Sequence, residues 1–411
     1  MRPADGSLGA GRERVLFVVL YFAEGVPIGF LWWALPSVLR EQSMDVASIT
    51  SLAAALTIPW TLKFLVGPVI DRSVERGRRL RDWILACQVA MGLALLPLAV
   101  QGVVPAFSVL LALLLVHACF AAVQDVAIDT LCMRTVPLER LGSINGWMHF
   151  GMTVGRATAA ASVPLLIHSA GWRTVICTMV LLIWLPMIVV LTMVREPAVQ
   201  PEAAGSEPGH WRRMFGWALL PALGVALLAG TGFEATGALA GPLMVDLRFD
   251  VASRAFFFGA IAPAALALGG LVAARLTDRL GLVRAVALGV LTTSLAVAAL
   301  ARSVPGESVA VGEQVHLAWL GLVYLCAGFL ISASYACFMS VARGRWSATR
   351  FSLLMAMTNA CESGSAFVAG RLVPALGYAG ALAALAVVSL LSLPFLSRID
   401  PTGARADAEE D

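Results

Sequence analysis

The chain has 411 residues, of which 59% are hydrophobic and only 13% charged. Soluble domains average about 25% charged, so with a mean hydropathy of +0.84 this chain cannot cover itself as a water-soluble globule. The net charge of +3, from 29 Lys+Arg against 26 Asp+Glu, supplies no basic stripe for a nucleic-acid partner.

Apolar runs of about 20 residues, each long enough to cross a bilayer core of roughly 30 Å, recur along the whole chain. They fall at about 15–39, 46–70, 83–101, 105–131, 142–168, 172–194, 215–242, 251–276, 283–301, 315–341, 349–375 and 378–397. The fold class is therefore an all-α polytopic membrane protein with twelve transmembrane helices. The first run follows a polar start and lacks a small-residue cleavage site, so it reads as a retained helix. The seven Cys (87, 119, 132, 177, 326, 337 and 361) lie in or at the ends of apolar runs without any CxxC pair. They read as small buried residues, with no disulfide framework and no metal site.

The positive-inside rule orients the set. With a cytoplasmic N-terminus, 21 Arg fall on the cytoplasmic side, in clusters such as Arg72, Arg76, Arg78, Arg79 and Arg81. Six fall outside: Arg40, Arg173, Arg248, Arg254, Arg302 and Arg371. Two basic residues remain inside spans: Arg156 and the one lysine, Lys63. Residues 195–214 form the longest polar connection, rich in Pro and Glu, and read as a disordered cytoplasmic linker. The expected organisation is a cytoplasmic N-terminus (1–14), a six-helix half (15–194), the linker (195–214), a second six-helix half (215–397) and a cytoplasmic tail (398–411).

The halves repeat. Asp45-Val-Ala-Ser48 precedes span two and Asp250-Val-Ala-Ser253 precedes span eight. Glu24 in span one is matched by Glu234 in span seven, 210 positions on. Asp71-Arg72 is matched by Asp278-Arg279, and Leu138–Ser143 by Ser347–Ser352. Two six-helix pseudo-repeats related along the membrane normal resemble the layout of major facilitator transporters. The segment from Gly67 through Asp71 and Arg72 to Arg81 resembles that superfamily's loop between spans two and three. It reads as a gating loop, repeated at Asp278 and Arg279, or as a loop that only sets topology.

Ionisable side chains at bilayer depth are functional candidates by default. Here they are Glu24, Lys63, Asp125, Asp129, Arg156, Glu234 and Glu362, with His117, Gln124, His149 and Asn359 as polar company. Asp125 and Asp129 are four apart and share one face of span four. Lys63 and Asp125 lie at matching depth, about 10 Å from the inner ends of their spans. A pair between them would break and re-form during transport, or serve as a static ion pair. Asp129 is either a coupling carboxylate or a partner of backbone or Arg134. Glu24 and Glu234 are candidate proton-coupling sites, with Gly25, Pro27 and Gly29 expected to loosen span one. Arg156 suits an anionic substrate group or a neighbouring carboxylate. Tyr335 suits a substrate ring or the core. Of Trp32 and Trp33, at most one lines a cavity; such residues are most often interfacial.

Lys63-Phe-Leu-Val-Gly-Pro-Val-Ile-Asp-Arg72, Ala122-Val-Gln-Asp125-Val-Ala-Ile-Asp129 and Tyr21-Phe-Ala-Glu-Gly-Val-Pro27 resemble motifs of the AmpG-like permeases. These are the peptide, acetyl-CoA and muropeptide branch of the major facilitator superfamily. The family's aromatic–Arg–x–Gly pattern in span five is replaced here by Met-Thr-Val-Gly155-Arg156. The muropeptide members are longer, so the resemblance implies a branch nearer the ferric-siderophore permeases of the pyochelin and rhizobactin type. It implies a monomeric secondary transporter of the bacterial inner membrane. Its partners would be the bilayer and a small-molecule substrate, a ferric siderophore, imported with protons. Muropeptide import and drug or metabolite export are the alternatives. No Gly-x-x-x-x-Gly-Lys-Ser/Thr loop appears, so the proton gradient rather than a nucleotide cofactor is the expected energy source. No acid–base or nucleophile–base grouping suggests an enzyme.

Overall fold

The computed structural model describes residues 10–101, 106–136, 138–194, 219–304, 312–342 and 347–399. Much of the expected linker and tail lies outside them. Every regular element described is helical. Ten helices are long and apolar enough to cross a membrane. Two of them, Trp147–Met193 and Arg350–Leu396, run 47 residues each. That is about 70 Å at 1.5 Å per residue, twice the bilayer core. Each is broken at a glycine, Gly171 (φ 79°, ψ 172°) and Gly377 (φ 66°, ψ 175°), where an L side chain would be strained. Each long helix is thus two spans, and twelve spans result among the described residues.

The duplication is written into the backbone. Six described residues have positive φ, and they form three pairs. Ser43 and Arg248 lie 205 apart, Gly77 and Gly281 lie 204 apart, and Gly171 and Gly377 lie 206 apart. The first pair closes identical helix ends. Met44 N–H donates to Leu39 O at 3.1 Å and Phe249 N–H to Met244 O at 2.9 Å, the long bond of a Schellman cap. Asp45 and Asp250, also 205 apart, then cap the next spans by accepting from the backbone N–H of Ser48 and Ser253. The Ser48 hydroxyl and N–H hold Asp45 below the ordinary carboxylate range, and the Ser253 N–H does so for Asp250. A depressed carboxyl stabilises the fold above its unfolded value and loses that contribution on acidification, so both caps weaken only in acid.

This register corrects three of the four sequence matches. Glu24/Glu234, Asp71/Asp278 and Ser143/Ser352, at 210, 207 and 209, are three to five residues out of step with it. Glu24 stands 19 residues before its turn at Ser43, whereas Glu234 stands 14 before Arg248. Counted from their own turns, the two positions thus differ by roughly 7 Å of helical rise.

By packing, the chain forms two compact units. The first is Met1–Leu35 with Leu62–Gly205, and the second is Pro36–Thr61 with Ser206–Asp411. The stretch Pro36–Thr61 precedes the expected linker and groups with the second unit. In the first unit, Leu16, Phe17 and Leu20 of span one meet Ile70 and Val74 of the helix Gly67–Glu75, Ile84 of span three and Ile128 of span four. In the second, Val225, Val286, Val290, Leu330 and Phe338 form the equivalent core.

Spans one and five approach through glycines. A Cβ on Gly25 would collide with the Met152 carbonyl oxygen, one on Gly29 with the Arg156 carbonyl oxygen, and one on Gly155 with the Phe22 carbonyl oxygen. Small residues spaced by four let two helices touch backbone to backbone in a membrane. Gly25 and Gly29 therefore seat span five against span one, a role the sequence had not suggested. The break comes just after Pro27, as a π-helical turn over Gly29–Ala34. Burial differs from expectation for Cys119 and Cys177, which are exposed on their spans. Apolar and small residues stand on the outer faces of spans because lipid, not water, covers them.

Replacing Gly25 with Val should lower the thermal midpoint of the detergent-solubilised protein, at a cost of about 1–3 kcal/mol. Gly237→Ala, where nothing lies within 4 Å of the new Cβ, should be neutral or slightly stabilising. Fluorescence-detected size-exclusion after a heating series separates the two.

Candidate functional site

The site grows from an interruption in span two. The α-helix Val46–Thr61 gives way to a 3-10 turn at Lys63–Leu65, and helix resumes at Gly67–Glu75. Pro68 explains the break, because its ring removes a backbone donor and restricts the residue before it. Lys63 opens the turn and donates from Nζ to Asp125 Oδ2 of span four at 2.8 Å. The equal depths read from the sequence therefore end in contact. Asp125 is 6% exposed.

One helical turn further along span four, Asp129 accepts from the Tyr21 hydroxyl of span one at 2.5 Å. The sequence had offered backbone or Arg134 as its partner instead. Tyr21 was absent from the sequence candidates. Its signal was its spacing, three residues before Glu24 and hence on the same helix face. Glu24 is 2% exposed, and its carboxyl interacts electrostatically with Asp125, Asp129 and Lys63. Its Oε2 has no hydrogen-bond partner among the described residues. Gln124, 1% exposed, likewise leaves its Oε1 unsatisfied. One ammonium thus faces three carboxyls and a phenol in apolar surroundings, an arrangement that invites exchange of protons and polar ligands.

The remaining candidates scatter. His149 and Arg156, two turns apart on span five, interact electrostatically. His117 sets its Nδ1 against Met91 O at 3.2 Å, a contact between spans three and four. In the second unit, Glu234 lies beside Tyr324 and Cys361. Asn359 spends its amide on the Trp60 carbonyl at 3.3 Å, and Ser363 bonds Ala54 O at 2.8 Å, so this face of span eleven seats span two. Glu362 contributes to the charge around Cys361. Tyr335 packs against the apolar core of the second unit. Of the gating-loop residues, Gly67 begins the resumed helix and Arg72 and Arg279 are exposed. The side chains of Asp71 and Asp278 lie outside the described residues.

A family model described as the Major Facilitator Superfamily matches residues 17–370. The chain belongs to that superfamily. It is a multi-pass membrane transporter by family. Putative transporter AmpG 4 of Rickettsia conorii is 21% identical over 88% of this chain and 90% of its own length. The anhydromuropeptide permease of Escherichia coli K12 is 25% identical over 89% of this chain and 75% of its own. These AmpG-like relatives agree with the resemblance of spans one, two and four. Among solved structures, the nucleoside transporter NupG superposes with a TM-score of 0.71 at 15% identity. It covers 94% of this chain and 99% of its own. A bacterial homolog of the human lysosomal transporter Spinster gives 0.68 at 16%, covering 98% of each chain. At these identities the two structures establish the fold.

Removing one member of the ion pair should cost more than removing both. Lys63→Met should destabilise by about 2 kcal/mol by stranding Asp125. Lys63→Met with Asp125→Asn should recover most of that loss in a double-mutant cycle on thermal unfolding. Tyr21→Phe should cost about 1 kcal/mol, the worth of one hydrogen bond to Asp129.

Proposed function

We propose that this chain is an importer of the bacterial inner membrane that moves an anhydromuropeptide-like solute by proton-coupled alternating access, with both termini cytoplasmic. The observation that carries the coupling is the cluster of Lys63, Asp125, Asp129, Tyr21 and Glu24. One ammonium facing three carboxyls leaves surplus negative charge at bilayer depth. A proton entering the cluster offsets that charge and frees Lys63 to change partner. A muropeptide brings sugar hydroxyls, amides and carboxylates, which match the carboxyl, amide and cationic groups available here.

The choice of solute rests on the relatives. The sequence resemblance favoured a ferric siderophore, on chain length. None of the relatives named above is a siderophore permease, whereas one is an anhydromuropeptide permease. The muropeptide alternative is therefore preferred, and the shorter chain is accommodated within its alignment over 75% of that permease.

Expressed in a strain lacking its anhydromuropeptide permease, the protein should restore uptake of labelled anhydromuropeptide and remove it from the medium. Failure there, with rescue of growth on a ferric siderophore, would favour the siderophore reading. Asp125→Asn should abolish proton-driven uptake, a loss of about 100-fold or more, while the protein remains folded in the membrane. Wild-type uptake in that variant would refute the coupling role.

A further inference from the structure

Spans three and four bury three polar side chains with hydrogen-bonding atoms left over. Gln88, on the helix Leu80–Gln101, is fully buried and leaves both Oε1 and Nε2 without a partner among the described residues. His117, on the helix Phe107–Thr135, sets Nδ1 against Met91 O and leaves Nε2 unpartnered among them. Gln124, on the same helix as His117, leaves its Oε1 likewise. A buried polar atom without a partner carries a desolvation penalty, so each of these calls for one.

The three fall in a row. Spans three and four run antiparallel, and the contact of His117 with Met91 sets their register. Gln88 stands three residues from Met91 towards Leu80, roughly 4.5 Å along the axis. Gln124 stands seven residues from His117 towards Thr135, roughly 10 Å in the same direction across the membrane. Gln88 is therefore between the other two in depth. Seven residues make nearly two full turns, so His117 and Gln124 share the face of span four that is turned to span three. One end of the row stands beside the ion pair, because Gln124 and Asp125 are consecutive. The other end is closed by Leu95 and Leu98 of span three and Leu110 and Leu114 of span four, all buried. Trp184 of span six closes the flank. Its Nε1 donates to Gln88 O at 3.0 Å, and a Cβ on Gly92 would collide with its ring. The second half carries the same feature. Thr293 lies 205 after Gln88, and its buried Oγ1 has no partner among the described residues. Span ten, Glu313–Val341, begins and ends 206 after span four. Tyr324 stands one residue from the position this gives for His117, and its buried hydroxyl is likewise without a partner.

A carboxamide offers both donors and an acceptor, and an imidazole nitrogen offers either role. Two of the three groups are amides, which give an ion no counter-charge. A small neutral molecule that both donates and accepts satisfies every member, and water is that molecule; a buried water makes about three hydrogen bonds. We propose that Gln88, His117 and Gln124 hold a row of water molecules between spans three and four, which solvates Asp125 when Lys63 leaves it. Gln88 and His117 are then positioning residues for Asp125 that act through water. The row ends blindly at the leucines, so it solvates the ion pair and does not cross the membrane. Water beside Asp125 lowers the cost of parting the pair, because the carboxylate keeps hydrogen bonds as the ammonium departs. The solvating role deepens the coupling reading above and rests on it; the row of water does not.

The test is radiolytic footprinting of the detergent-solubilised protein, with no solute and no proton gradient. X-ray pulses turn bound water into hydroxyl radicals that oxidise the side chains beside it, and mass spectrometry reads the rates. His316 is the internal standard: it is 2% exposed, and its ring nitrogens face Gly312 O and Ser303 O. His117 is 1% exposed. It should nevertheless be oxidised about tenfold faster than His316, because water lies against its Nε2. Gln88→Leu should bring His117 to the rate of His316, and Gln88→Asn should keep most of the fast rate. Equal rates for the two histidines, or a fast rate that survives Gln88→Leu, would overturn the row. The first comparison uses the unaltered protein, so it decides even where Gln88→Leu misfolds. For the solvating role, Lys63→Met with Gln88→Leu should lower the thermal midpoint by more than the two single changes added together. Additive midpoints would overturn that role. Neither measurement involves solute or proton movement, so a wrong choice of solute or of coupling ion leaves both results untouched.

Discussion

A charge inside a bilayer must find a partner or water, and that constraint organises the first unit. Lys63 is the chain's one lysine and lies where a span should be uninterrupted. Its ammonium is satisfied because span two breaks at Lys63–Leu65 and presents it to Asp125 at 2.8 Å. One turn from that contact, Tyr21 joins span one to span four by its bond to Asp129, and Glu24 shares their field. Without Lys63, three carboxyls would face one another in an apolar setting, which few folds tolerate.

The cluster works only because span one can lie close to its neighbours. Glycines at 25 and 155 bring spans one and five to backbone contact. No hydrophobic force separates helix–helix from helix–lipid contact in a membrane, so close packing and polar contacts must supply the affinity. The apolar packing is thus what aims the polar side chains. The second unit shows the opposite balance. There Asn359 and Ser363 of span eleven bond the Trp60 and Ala54 carbonyls of span two, and polar groups are used to hold helices.

The two halves have kept their turns more faithfully than their interiors. Ser43 with Arg248, Gly77 with Gly281, and Gly171 with Gly377 hold a register of 204 to 206. Turn geometry admits few solutions, and a left-handed residue or a Schellman cap must stand where the chain reverses. Span interiors need only be apolar and of the right length. Charged residues there are placed by chemistry, so Glu24 and Glu234, counted from their own turns, have drifted about a turn apart. A pseudo-symmetric pair of proton sites is not what the described residues contain. The carboxyl cluster is one-sided, and the second half contributes a different polar group around Glu234, Tyr324 and Cys361.

Much was legible in the residues themselves. Length and hydropathy determined a helical membrane protein of twelve spans, because only a helix satisfies its own backbone in lipid. Charge scarcity inside spans singled out Lys63, Asp125, Asp129 and Glu24, since each such charge needs a reason. Depth arithmetic paired Lys63 with Asp125, because helical rise is uniform. Tyr21 escaped, since a phenol is neutral and unremarkable in an apolar run until a carboxylate from 108 residues away meets it. The role of Gly25 and Gly29 was likewise hidden, as a glycine in sequence does not say which backbone will approach it. The grouping of Pro36–Thr61 with the second unit, and the hydrogen bonds of Arg40 and Tyr378 to Asp246, were decided by tertiary structure alone. Periodicity tells which face of a helix is apolar; only the folded chain chooses the neighbour that covers it.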